Sequence, residues 1–198
     1  MIRRAVIALL ATLPTVAHAH LTSSGLGPVY DGVLHFATSP DDLAAVVALA
    51  LFAGLRGAQQ GRWTLFALPC AWLLGSFVGL VAIMPQSSAW LSAAWLLVLG
   101  MLVALDAKLP PVATTAIAAL LGLMHGYANG SGMNLTLPVA LALLGLATSV
   151  FVATALSAAA VVRFGHAWRR IAVRVLGSWI AASGLLLFGW AIRSASGA

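Results

Sequence analysis

A chain of 198 residues that is 62% hydrophobic and 7% charged, with a mean hydropathy of +1.05, lacks the surface of a soluble domain, where about 25% of residues are charged. Apolar runs of about 20 residues exclude a membrane β-barrel, whose strands would alternate over about 10. The net charge of +6 does not mark a nucleic-acid binder, because the basic residues stand singly between apolar runs rather than on one face with aromatics.

In chain order the first element is a leader. Arg3 and Arg4 precede a short apolar core from Ala5 to Leu13, and Ala17-His18-Ala19 forms a small-x-small cleavage site. Residues 1–19 therefore read as a cleaved secretory signal peptide, and residues 20–198 as a single transmembrane domain. Cleavage there leaves His20 at the mature N-terminus, where its α-amine and imidazole together can chelate a metal. Six apolar spans follow, at about 28–54, 64–84, 89–105, 111–128, 136–162 and 171–192. The fold class expected is an all-α polytopic membrane bundle with sequence neighbours packed antiparallel across short loops.

The first span is too long for one straight crossing, and Pro40 interrupts it. Proline removes a backbone donor and pushes the preceding residue out of helical geometry, so the pattern predicts a helix near 29–38, a break at Ser39-Pro40 and a second helix from Asp41. Three of the chain's four acidic residues gather here: Asp31, Asp41 and Asp42, around His35. Asp31 and His35, four apart, share a helix face. Ser39 suits an N-cap, Pro40 the first helical position, and acidic residues the first turn. Capping explains Ser39 and one aspartate but leaves the second aspartate, His35 and Asp31 over. Ionisable groups at membrane depth cost about 2.5–3.5 kcal/mol for Asp at a helix centre and commonly mark a pathway, and broken helices commonly line ion sites. A cation site that also uses the cap geometry is the reading that accounts for all of them.

On span two, Gly75 and Gly79 form a GxxxG pair, matched on span four by Gly122, Gly126 and Gly130, spacings that let helix backbones approach closely. Cys70 is expected as a small buried hydrophobe. Span four carries the second histidine motif, His125-Gly126-Tyr127-Ala128-Asn129-Gly130, and at about 1.5 Å per residue His125 lies about 22 Å along it, at a depth similar to His35. Two histidines at matching depth with carboxylates nearby offer the imidazole and oxygen donors that a borderline divalent cation takes. Met124 and Met133 flank the motif as ordinary filling. Trp63, Trp90, Trp95, Trp168 and Trp190 fall near span ends, where interfacial belts form, and His166 sits in a basic loop as a solvated residue.

Arg56, Arg62, Lys108, Arg163, Arg169, Arg170 and Arg174 fall in or beside alternate loops, whereas 85–88 and 129–134 carry no charge. The positive-inside rule then puts the charged loops in the cytoplasm and the mature N-terminus in the periplasm of a bacterial inner membrane. No nucleophile elbow, Walker loop or CxxC is present, so an enzyme is not expected.

At the two histidine motifs the chain resembles the HupE/UreJ family of hydrogenase and urease accessory membrane proteins. The family's H-P-x-x-G-x-D-H corresponds to the window 35–42, with His35 and Asp41 matching its first histidine and its aspartate and Asp42 in place of its last histidine. Its H-G-x-A-H-G corresponds to 125–130, with His125 kept and Asn129 in place of the second histidine. The resemblance implies a permease for nickel or cobalt. The expected metal site is His35, Asp41, Asp42 and His125, with Asp31 and His20 as an outer shell. The expected partners are the divalent cation and the lipid bilayer, with no nucleic acid, no resident cofactor, and self-association open. Two other readings stay open: a non-transporting scaffold for metalloenzyme assembly, acting through the loop at 163–174, and a haem held between His35 and His125.

Overall fold

The computed structural model of the protein describes residues 24–82, 89–131, 133, 135–163 and 167–195. The signal-peptide segment, His20, the 85–88 loop and His166 lie outside these. Without water, a backbone at membrane depth must satisfy its own polar groups, which an apolar chain of this kind does by forming helices. The described residues hold seven: α1 (Pro28–Thr38), α2 (Pro40–Leu55), α3 (Ala58–Val81), α4 (Ala89–Ala104), α5 (Pro111–Gly130), α6 (Leu137–Arg163) and α7 (Ala167–Ala195). Three of them, α1, α2 and α5, begin on a proline, whose fixed φ suits the first helical position and whose missing N–H is not needed there.

The break expected at Ser39-Pro40 is present, and α1 is bent 77° from α2. Helices α3, α5, α6 and α7 are long and apolar enough to cross a membrane, and α1 with α2 makes a fifth span if counted as one. Helix α4 is apolar but has 16 residues, about 24 Å at 1.5 Å per residue, short of a hydrocarbon core of about 30 Å.

Helix α2 is the centre of the bundle, with Ala45, Val46, Ala48, Leu49, Ala50, Phe52 and Ala53 fully buried. Around it the other six helices pair through glycines. The two motifs on α3 and α5 turn out to be one interface. A Cβ at Gly126 would land on the carbonyl oxygen of Trp72, one at Gly130 on that of Ser76, and one at Gly75 on that of Leu123. In α1–α6, Gly32 meets the Ala142 carbonyl and Gly145 that of Val29; in α4–α7, Gly100 meets Ala181 and Gly184 meets Leu97. The tight pairs are therefore not the sequence neighbours expected to pack together, and α3 and α5 run parallel. Glycine placement, rather than loop length, decides which backbones come closest.

At the end of the bundle where α2 stops, Asp106 adopts φ +52, a left-handed conformation that aspartate tolerates. Its carboxylate takes Arg56 on one oxygen and Arg170 on the other, while Arg174 Nε donates to the Ala104 carbonyl at 2.8 Å. Two tryptophan and cysteine expectations shift. Trp63, Trp90, Trp168 and Trp190 are exposed near helix ends, but Trp95 is half-buried against the core and donates to Met124 Sδ at 3.3 Å. Cys70 is exposed on α3 rather than buried, because the buried strip of that helix is the one facing its partners, through Leu68, Ala71, Trp72 and Gly75.

Candidate functional site

The bend at Ser39 folds the end of α1 over the start of α2, and the last two turns of α5 lie beside both. Ser39 occupies the N-cap position of α2 but makes no side-chain cap. Its hydroxyl donates backward to the His35 carbonyl at 2.7 Å, so the break is stitched from the α1 side. The expected side-chain cap by Ser39 is thereby corrected; Pro40 and both aspartates do open the first turn of α2, and Asp42 directs its carboxylate across to α5.

Asp42 is 5% exposed and His125 is 5% exposed. His125 Nδ1 and Asp42 Oδ1 are 2.7 Å apart, and Asn129 Nδ2 donates to Asp42 Oδ2 at 3.0 Å and to the His125 carbonyl at 2.9 Å. The His125 carbonyl has no proton to give, which fixes the amide orientation and turns Asn129 Oδ1 toward His35 Nε2 at 2.6 Å. His35 then donates from Nε2. The result is one continuous chain, His35 to Asn129 to Asp42 from one side and His125 to Asp42 from the other. Among the described residues no lysine or arginine pairs with Asp42, so a buried carboxylate is held by one imidazole and one amide.

This arrangement resembles the outer-shell scheme by which a carboxylate orients a metal-binding imidazole, since it leaves the second ring nitrogen of His125 as a donor. That nitrogen, Nε2, is buried with no hydrogen-bond partner. Trp72 packs on the ring, centroids 5.4 Å apart, and Phe36 meets Trp72 edge-on at 6.5 Å. Both aromatics are buried, 0% and 4% exposed, and they close the site toward the core.

Of the residues expected from the sequence, His35, Asp42 and His125 join the network. Asp41 is exposed one position away. Asp31 does not reach His35; its carboxylate accepts from Ser24 N at 2.5 Å and Ser24 Oγ at 2.6 Å. His20 lies outside the described residues. Among the described residues, no three His, Cys, Asp or Glu side chains converge closely enough to hold a metal by themselves. The two imidazoles are linked through an amide and a carboxylate rather than facing each other across a slot, which does not suit a haem. Two participants were not singled out by the sequence reading. Asn129 was legible only as a departure from a histidine, although it sits one helical turn after His125. Trp72 gave no signal beyond being an aromatic in an apolar helix.

A family model described as HupE / UreJ protein matches residues 7–187 of the chain. A curated relative, "Protein HupE" of Rhizobium leguminosarum bv. viciae, is 27% identical over 184 residues, covering 88% of this chain and 91% of its own length. No solved structure gives a significant match.

Proposed function

The chain belongs to the HupE/UreJ family, and from that premise we propose that it is an inner-membrane permease carrying a divalent transition-metal cation, nickel or cobalt, toward metalloenzyme maturation. The observation that carries this reading is Asp42: a carboxylate 5% exposed, at the break of a bent helix, held by the His125 imidazole and the Asn129 amide with no lysine or arginine paired to it among the described residues. Burying a carboxylate with so little cationic compensation is costly, and a passing cation supplies what the fold does not. His125 Nε2 offers a borderline nitrogen donor, Asp42 and the Asn129 carbonyl offer oxygens, and His35 joins when its bond to Asn129 opens. Asp41 and Asp31 form the approach on the periplasmic side, and α4 counts as the sixth span.

The chain offers no nucleotide site, so the membrane potential is the available driving force. A divalent ion moving inward gains about 4.6 kcal/mol per 100 mV, twice the single-charge value. The scaffold reading draws less support, because Arg56, Arg170 and Arg174 are engaged within the bundle.

The test is elemental analysis of cells expressing wild type, Asp42→Asn or His35→Ala across nickel, cobalt, copper, zinc and manganese, with membrane levels of each protein measured alongside. One metal should rise at least tenfold with wild type and fall to background in both variants at equal protein level. Equal accumulation in wild type and Asp42→Asn would sink the permease assignment.

A further inference from the structure

Trp72 enters the site from α3, between His125 and Phe36. It is fully buried, packs against His125 of α5 at 5.4 Å with the rings tilted by 40°, and meets Phe36 of α1. Its carbonyl accepts from Ser76 Oγ at 2.9 Å and presses on Gly126, so its backbone is fixed. Its indole Nε1, however, is buried with no hydrogen-bond partner. A buried unpaired donor is destabilising, because the group gives up water and gains nothing in return. Phenylalanine would pack a ring against His125 without that penalty, so packing alone does not account for an indole here.

What an indole adds over a phenyl ring is the strongest π-face for positive charge. The unpartnered Nε2 of His125 is the donor open to a cation, and once a cation is bound there the imidazole shares its charge. That imidazole lies inside the range of about 6 Å over which a cation is attracted to an aromatic centroid. Burial strengthens the effect, since no water screens the pair.

We propose that Trp72 is an affinity-determining residue of the cation site: its indole face stabilises the cation-loaded imidazole of His125. This rests on the permease reading above. The role separates from a structural one because a packing tryptophan cut back to phenylalanine loses affinity only in step with stability, whereas here relief of the orphaned N–H offsets the lost ring volume and affinity falls alone.

The experiment uses the full chain purified in detergent. Nickel(II) and cobalt(II) are titrated by calorimetry, and the thermal midpoint is measured without metal, for wild type, Trp72→Phe and Trp72→Leu. Trp72→Phe should weaken binding about 3- to 10-fold with little change in the metal-free midpoint, the relieved N–H offsetting the lost ring volume, and Trp72→Leu should weaken it about 10-fold or more, as expected for loss of a desolvated cation–π contact. Wild-type affinity in Trp72→Phe overturns the proposal. So does a midpoint that falls in parallel with affinity, which makes Trp72 a packing residue. A wild type that binds neither metal overturns the permease reading, and this inference with it.

Discussion

Asn129 is the residue on which the candidate site turns. Its amide accepts from His35 and donates to Asp42 and to the His125 carbonyl, so both of its donors and one lone pair of its oxygen are engaged across three helices. Leucine, similar in shape but unable to bond, would strand one oxygen of Asp42 and one N–H of His35. Each buried group left unpaired costs about 1–3 kcal/mol. Asn129→Leu should therefore lower the thermal midpoint and cut metal accumulation at least tenfold, read in the same membranes. The sequence exposed His35, Asp42 and His125 because ionisable residues are conspicuous in an apolar chain. It could not rank Asp41 against Asp42. The two are adjacent on a helix, about 100° apart, and which one turns inward depends on the bend at Ser39, a tertiary outcome. Trp72 stayed hidden for the converse reason: an aromatic in an apolar span is unremarkable until its partner is known.

Among the helices, the extents were legible and the pairings were not. Hydropathy and the prolines at 28, 40 and 111 mark where helices start and break, so most predicted spans and observed elements agree to within a few residues, whereas α3 starts at Ala58 rather than at 64. Loop length suggested neighbours packed antiparallel, but the closest contacts are set by glycines that match in register between distant helices. Gly126→Ala tests this directly. Its new methyl would collide with the Trp72 carbonyl, a backbone atom that cannot move alone, and overpacking of this kind costs about 1–3 kcal/mol. The midpoint should fall and the Trp72–His125 stacking should loosen, weakening nickel binding as well. Gly189→Ala is the matched control: nothing lies within 4 Å of the added atom, and alanine is favoured over glycine in a helix by about 1 kcal/mol. Its midpoint should hold or rise.

Across the whole molecule, the four acidic residues divide between the two ends: three at the bend and Asp106 at the opposite end. Asp106 ties the end of α2, through Arg56, to the start of α7, through Arg170. The Arg56 side chain is only 8% exposed, so removing its partner leaves a nearly buried charge. Asp106→Asn keeps the tolerance for positive φ and removes only the charge. It should lower the midpoint by the equivalent of about 3 kcal/mol while leaving metal affinity at the far end within about twofold, since sites that share no partners behave independently. A drop in affinity matching the drop in stability would show that the two ends are coupled.

The glycine pairing also dictates an order of assembly during synthesis. Only α3–α5 can close once residue 130 has emerged; α1 must wait for α6, and α4 for α7, the last helix made. The Asp42–His125 contact can thus form on a half-finished chain, while α1, which carries His35, still lacks its α6 neighbour. A ribosome-bound chain halted between α5 and α6 would carry the floor of the site without its cover. In that state α1 and α4 lack the α6 and α7 backbones that their glycines match, which makes this interval the vulnerable one for proteolysis.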